Sequence, residues 1–184
     1  VWGLRCQHFW SCPHRYKGVP HDPCMETLIS LCSAAHTSSR VRVPDRPGAR
    51  GLQGWVAFSP THRPDIFVLR AAPRGGHLVC DVFCPSHIVP SAAQSRAAGA
   101  LQFLLAAEQR KRDQYGTLDI RHHMCPLVIG QYGSFGPALS TFIDSLHSVV
   151  RGRVEAPTWS ARHFARIADQ SISCQYWRSL GHYF

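Results

Sequence analysis

Two aspartates stand where apolar strand residues are expected. Asp65 lies at the start of a β-rich run, in HRPDI, and Asp81 interrupts the apolar run HLVCDVF. Antiparallel strands joined by a short turn can bring two such residues side by side. Two carboxylates held close together repel each other, and a divalent cation removes that repulsion. The pattern therefore predicts a site for Mg²⁺ or Mn²⁺, which can activate a water molecule and stabilise a phosphate group.

Each of these residues also has an ordinary structural interpretation. An aspartate before a strand commonly serves as a cap or turn residue, which is the alternative for Asp65. Asp81 is harder to explain in that way, because an unpaired buried charge is costly. Glu26 could add a third carboxylate, and Lys111 could supply a cation that orients the attacking water. Considered separately, these two residues are typical of exposed helix faces.

The elements that must position these residues follow from the local patterns. Asp22 as N-cap and Pro23 at the first helical position predict a helix. A short strand at 41–43, a strand at 55–58 and a hairpin of strands 66–69 and 77–83 should follow, the hairpin turning at Pro-Arg-Gly-Gly. A helix of about twenty residues is predicted between Pro90 and Tyr115, from the helical spacing of Ala97, Leu101, Leu104, Leu105 and Glu108.

The remaining elements complete an α/β order. Residues 126–131 predict a short buried strand, and Gly136-Pro137 opens a helix with an apolar stripe at Leu139, Phe142, Ile143, Leu146, Val149 and Val150. An amphipathic helix is predicted from Trp159 to Phe184. This order of elements predicts an α/β sandwich with a mixed sheet.

Composition fits one globular domain with a polyanionic partner. The chain has 184 residues, 45% of them hydrophobic, and a formal net charge of +9. That charge favours nucleic acid first and an acidic membrane surface second, with a plain basic surface as the alternative. The candidate nucleic-acid contacts are Arg40, Arg42, Arg46, Arg50, Arg63, Arg110 and Arg112.

The cysteines indicate a reducing compartment. The chain has 8 cysteines, and several lie in apolar runs, for example Cys32, Cys80 and Cys125. Scattered, buried thiols are typical of an intracellular protein without a disulfide framework. No apolar stretch approaches the ~18 residues of a membrane span. The first residue is Val1 and not methionine, which suggests a fragment or a piece cut from something longer.

Several motifs taken in order resemble a known family. The run RPDI is followed by Asp81 in DVF, then by KRDQYG and by PLVIGQYGSFGPALSTFIDSL. This series resembles the C-terminal region of non-LTR retrotransposon polyproteins, which carry a PD-(D/E)xK, restriction-enzyme-like endonuclease after a reverse transcriptase. The resemblance extends from about His8 to Val150. Each motif is short, and their order and spacing are more specific than any one of them.

The resemblance implies roles for particular residues. Asp65 and Asp81 resemble the metal-binding acids of the family. The usual nuclease motif has a lysine two residues after the second acid, where this chain has Phe83. Lys111, four residues before Tyr115, resembles the lysine that the retrotransposon branch takes from a downstream helix.

Other parts of the resemblance are looser. Glu26 lies where these nucleases often have a first-helix acid, and Arg63 with Pro64 completes the first motif. His8 and Cys12 resemble the last two ligands of a zinc knuckle. A complete zinc site would need further ligands, for which Cys6, His14, His21 and Cys24 are the candidates.

The resemblance implies three regions and one function. Residues 1–21 would form a partial zinc-knuckle-like segment, 22–150 a nuclease-like domain, and 151–184 a linker with a C-terminal helical tail. The expected function is Mg²⁺- or Mn²⁺-dependent nicking of DNA, in the nucleus if the chain acts as a retrotransposon nuclease. The alternative is a nuclease fold that no longer cuts and binds DNA or RNA, as part of a larger ribonucleoprotein.

Overall fold

A computed structural model describes residues 21–35, 41–42, 64–85, 99–116, 122–130, 133–152 and 158–181. The helices and strands within these ranges are α1 (His21–Ala35), β1 (Val41–Arg42), β2 (Ile66–Val68), β3 (His77–Phe83), α2 (Ala100–Tyr115), β4 (His122–Val128), α3 (Pro137–Arg151) and α4 (Thr158–Gly181). The predicted α/β class and the predicted mixed sheet are confirmed.

The sheet has the order β1-β2-β3-β4. Strands β1, β2 and β3 are antiparallel neighbours, with Ile66 paired to Cys80, whereas β3 and β4 run parallel, with Phe83 paired to Val128. The predicted hairpin is confirmed, and its turn contains a short 3₁₀ segment, Pro73–Gly75. Parallel neighbours cannot be joined by a tight turn, so the connection from β3 to β4 runs through α2.

Helices cover the sheet on both faces. The larger core lies between the sheet and helices α1, α3 and α4, and it includes Leu28, Ile66, Val82, Leu127 and Ile143. The smaller core lies under α2, where Phe103, Leu104 and Ala107 pack with Val128 and Phe83. A strand covered on both faces should be apolar throughout, and this explains the nearly continuous apolar run of β3.

The C-terminal helix α4 is part of this core. Its residues Phe164, Ala168, Ile172 and Tyr176 recur at every fourth position and are buried. The Cys24 thiol of α1 donates a hydrogen bond to the Ile172 carbonyl oxygen, with 3.9 Å between sulfur and oxygen. The segment that the sequence suggests to be an appended tail therefore closes the main core.

Helix α2 departs from its predicted form. It begins at Ala100, and the preceding Gly99 has a φ of 98°, a conformation that helical residues do not adopt. The helix thus has 16 residues and not the predicted twenty or so, and Ala97 lies outside the described residues. Leu101 and Leu105 were expected in the apolar stripe but are 56% and 37% exposed, and Phe103 and Ala107 face the sheet in their place.

Other boundaries shift by a few residues. Strand β4 begins at His122 and ends at Val128, earlier than the predicted 126–131. The stripe of α3 is confirmed except at Val149, which is exposed. The predicted strand at 55–58 lies outside the described residues.

The described ranges contain six cysteines, and their helices can be compared with a membrane-spanning helix in length and apolar character. All six cysteines in these ranges are free (Cys24, Cys32, Cys80, Cys84, Cys125 and Cys174). In the same ranges, no helix combines the length and the apolar character needed to cross a membrane.

Candidate functional site

The Asp81 carboxylate lies near the end of β3 and is the centre of a polar cluster. Asp81 is only 5% exposed. The Tyr115 hydroxyl donates a hydrogen bond of 2.5 Å to Asp81 Oδ2. The Lys111 ammonium lies 3.2 Å from each of the two carboxylate oxygens. The buried charge is therefore compensated by two donors that come from one helix, α2, at i and i+4.

Lys111 is held from a second direction by an aromatic ring. Its Nζ lies 4.9 Å from the centroid of the Phe83 ring. A cation above an aromatic face is attracted to the electron-rich ring, by about 0.5–2 kcal/mol depending on solvation. Phe83 is two residues after Asp81, so both point to the same face of β3. The ammonium group is fixed between the carboxylate and the ring.

Burial and charge shift the titration of this cluster. Burial raises the pKa of Asp81, while the hydrogen bond from Tyr115 and the charge of Lys111 oppose that rise. Asp65 adds a smaller upward effect on the pKa of Asp81, which indicates that the two carboxylates interact. Burial, and then Asp81, raise the pKa of Tyr115, so its hydroxyl remains a donor at neutral pH.

Asp65 lies against the same segment of β3, immediately before β2. Its backbone N–H donates to the Cys80 carbonyl oxygen at 3.0 Å. Its carboxylate Oδ2 accepts a 2.7 Å hydrogen bond from the Val82 N–H. The two contacts attach Asp65 to the residues on either side of Asp81. Both predicted acids are thus at the same end of the hairpin.

His21 is the partner of Asp65 that the sequence did not indicate. Its Nε2 lies 3.2 Å from Asp65 Oδ2, and its Nδ1 lies 2.8 Å from Asp22 Oδ1. A ring with a carboxylate at each nitrogen favours the imidazolium form, which donates from both. The hydrogen bond to Asp65 is the main cause that raises the pKa of His21 to about 9, although burial opposes it. His21 is therefore a second cation at this site.

The other residues predicted for the site are distributed as follows. Glu26 is exposed on α1, where His21 and not Glu26 contacts Asp65. Arg110 is exposed on α2, and Arg42 lies in β1 opposite Phe67. The candidates outside the described residues are Arg40, Arg46, Arg50, Arg63, His8 and Cys12.

Arg112 is partly exposed, and its guanidinium group contacts the Glu108 carboxylate. Arg112 Nη2 lies 3.2 Å from Glu108 Oε2, and Glu108 is only 2% exposed. The other carboxylate oxygen of Glu108 accepts a 2.8 Å hydrogen bond from the Ala138 N–H at the start of α3. Negative charge at a helix N-terminus is favourable, so Glu108 joins α2 to α3.

Gly136 is required beside this contact. A Cβ at Gly136 would collide with the Glu108 carboxylate and press on Val128. The glycine thus permits the close approach of α2 to the turn between β4 and α3. The sequence signal for Glu108 was its position in the stripe of α2, where a polar residue at a core position implies a buried partner.

The site supplies oxygen ligands for a metal ion but no large ligand cluster. Among the described residues, no group of three or more His, Cys, Asp or Glu side chains is arranged to hold a metal ion. Mg²⁺ commonly uses only one or two carboxylates and completes its shell with water and phosphate oxygens. Asp65 and Asp81 are the residues at this site that could hold such an ion, although His21 and Lys111 already offset much of their charge.

Two of the candidate zinc ligands have other contacts. His21 contacts Asp22 and Asp65, and the Cys24 thiol donates to the Ile172 carbonyl oxygen inside the core. The zinc prediction then depends on His8 and Cys12 and on the neighbouring Cys6 and His14, which lie outside the described residues.

Neither protein-family models, nor curated protein sequences, nor solved structures give a match to the chain.

Proposed function

We propose that this chain is a restriction-enzyme-like nuclease module that nicks DNA with Mg²⁺ or Mn²⁺, from a retrotransposon-type polyprotein. The observation that carries the proposal is the position of the Lys111 ammonium. It lies over the ring of Phe83, the residue that stands where the usual motif has its lysine, and it contacts Asp81 directly. A lysine from helix α2, and not from strand β3, thus lies beside the second acid, and this contact supports the proposal.

Each side chain has a role in such a reaction. Asp65 and Asp81 would hold the cation, which when bound would lower the pKa of a water molecule and stabilise phosphate charge. Lys111 would orient the water and offset the charge that develops on the phosphate. Tyr115 fixes Oδ2 of Asp81 by its hydrogen bond, and this keeps the carboxylate in one orientation.

The charges at the site also favour the second candidate, a nuclease fold that binds nucleic acid without cutting it. Lys111 contacts both oxygens of Asp81, and His21 contacts Asp65. With two cations beside two carboxylates, the acids have little net charge to attract Mg²⁺. In that case the basic surface would remain as the functional feature.

Plasmid nicking separates the two candidates. The wild-type protein should convert supercoiled plasmid to the open circle with Mg²⁺ or Mn²⁺, and a chelator should stop the reaction. Asp81→Asn should abolish nicking and leave DNA binding nearly unchanged, because it removes a metal ligand and not a phosphate contact. Lys111→Ala should slow nicking about 10²-fold or more, the usual scale for one lost electrostatic partner.

Two matched variants control for damage to the fold. Asp113→Asn and Gln109→Ala change two side chains that are exposed on the same helix as Lys111, and both should nick like the wild type. If the wild type nicks no faster than Asp81→Asn while DNA binding persists, the nuclease proposal fails and the binding module replaces it.

A further inference from the structure

The indole of Trp177 is a large aromatic surface held in a fixed orientation at the outside of α4. Trp177 is 49% exposed, whereas the adjacent Tyr176 is fully buried. The two rings meet edge to face, with centroids 6.1 Å apart and planes at 89°. Tyr176 is anchored in the main core and therefore restrains the indole, and half of the Trp177 surface remains open to solvent.

Trp177 lies at the same edge of the sheet as the candidate site. Its Nε1 is 3.6 Å from the point where a Cβ would stand on Gly133, a glycine with a φ of +76°. Gly133 belongs to the turn between β4 and α3, beyond the carboxyl end of β4. Strand β3 runs parallel to β4 and ends at Phe83, two residues after Asp81. The indole and Asp81 thus both lie towards the carboxyl ends of β3 and β4, with α4 on one face of the sheet and Asp81 directed towards α2 on the other.

The outer face of α4 carries two exposed arginines and one exposed acid, Asp169. Arg166, Gln170 and Trp177 are all exposed and are separated by four and seven residues, so they follow one line along the helix. Arg178 is exposed directly beside Trp177. Two guanidinium groups, an amide and an indole are a suitable set for phosphates and bases.

We propose that Trp177 stacks on a base of single-stranded nucleic acid, with Arg166 and Arg178 contacting its phosphates. A duplex hides the faces of its bases, whereas an unpaired strand offers them for stacking. This surface would guide an unpaired strand along α4 towards the edge that carries Asp81. The inference deepens the proposed function and rests on it, because it names the form of nucleic acid that reaches that site.

Binding measured without divalent cations tests the proposal independently of cleavage. The probes are a fluorescein-labelled oligo-dT and a labelled duplex of equal length, with chelator present and anisotropy as the readout. Trp177→Ala should weaken oligo-dT binding about tenfold or more, within the range expected for one lost base stack. Trp177→Phe should retain most of the affinity, and duplex binding should change less than about twofold for either variant.

The matched control is Leu101→Ala on α2, which removes another exposed apolar side chain, 56% exposed. It should leave oligo-dT affinity unchanged. Oligo-dT should also quench the tryptophan fluorescence of the wild type, and Trp177→Phe should lose most of this quenching even if Trp177→Ala folds poorly. The proposal is wrong if oligo-dT binds Trp177→Ala as tightly as the wild type, if both probes lose affinity equally, or if quenching survives in Trp177→Phe. Loss of nicking in Asp81→Asn leaves these results unaffected, so the two proposals fail separately.

Discussion

His21 carries a charge whose pH dependence differs between the folded and the unfolded protein. Its imidazole contacts Asp65 and Asp22, and its pKa in the folded protein is about 9, against 6.5 for an ordinary histidine. A raised pKa means that the folded state binds a proton more tightly than the unfolded state. The stabilising effect is therefore complete below pH 6.5 and is lost as the pH rises through about 9.

We predict that the free energy of unfolding falls between pH 6.5 and pH 8.5 and that His21→Gln removes most of this fall. The side chain is 26% exposed, so solvent screening limits the effect to about 1–2 kcal/mol. Urea denaturation at several pH values measures it. Burial raises the pKa of Cys32 to about 12, so thiol ionisation in the unfolded chain lowers stability mainly at higher pH. An identical pH profile for wild type and His21→Gln would contradict the prediction.

The acids could be predicted from the sequence, but the partner of Asp65 could not. An aspartate inside an apolar strand must have a compensating group, and Lys111 with Tyr115 supplies it for Asp81. Asp65 and His21 are 44 residues apart, and no local pattern marks His21, which precedes an ordinary N-terminal helix signal. Contacts between distant loop ends depend on tertiary packing, so a pattern of local spacing does not reveal them.

Helix α2 is the element that connects the site to the rest of the fold. One side of it carries Lys111 and Tyr115 to Asp81, and the buried Glu108 reaches the start of α3. The position of Lys111 therefore depends on how α2 sits against the turn after β4. A change at Glu108 should act on the site through the packing of this helix.

Glu108→Ala should lower the free energy of unfolding by about 2–3 kcal/mol, because it removes the acceptor for the Ala138 N–H and leaves space in the core. Glu108→Gln should cost less, about 1 kcal/mol, since the amide oxygen can still accept that hydrogen bond. Urea denaturation compares the variants.

The exposed residue Asp113 on the same helix provides the control, and Asp113→Asn should change stability by less than about 0.5 kcal/mol. A loss in Glu108→Ala no larger than that of Asp113→Asn would show that the contact does not hold α2 and α3 together.

The bounds of the strands and the buried faces of the helices could be predicted from the sequence to different degrees. The bounds of β3 agree with the sequence pattern, because a β-rich run after a Pro-Arg-Gly-Gly turn leaves little choice of register. The stripe of α2 was assigned from leucines, yet Leu101 and Leu105 point outward. A helix with apolar residues around much of its circumference can pack against a sheet in several rotations about its axis. In the observed rotation, Glu108 is buried and contacts the start of α3.

At the scale of the whole molecule, the net charge of +9 is the property most relevant to partners. We predict binding to DNA or RNA that weakens with salt, with a log–log slope of about 3–6 units, since each neutralised phosphate contributes about 0.7–0.9. Arg110→Ala should reduce the slope by about one unit, because Arg110 is exposed.

Anisotropy titrations between about 50 and 200 mM salt measure that slope. The neighbouring uncharged residue gives the control, and Gln109→Ala should leave the slope unchanged. Affinity that is constant over this range would mean that the basic surface has no polyanionic partner.

The hydrogen bond from Cys24 to the Ile172 carbonyl joins residues 148 positions apart. This separation affects how the protein folds during translation. During synthesis, α1 and the sheet emerge from the ribosome before α4. The apolar faces that α4 later covers therefore remain exposed to solvent until α4 is translated. Closing so long a loop is slow, and a half-built core of this kind is prone to aggregate. Completion of the main core therefore requires that α4 has been translated.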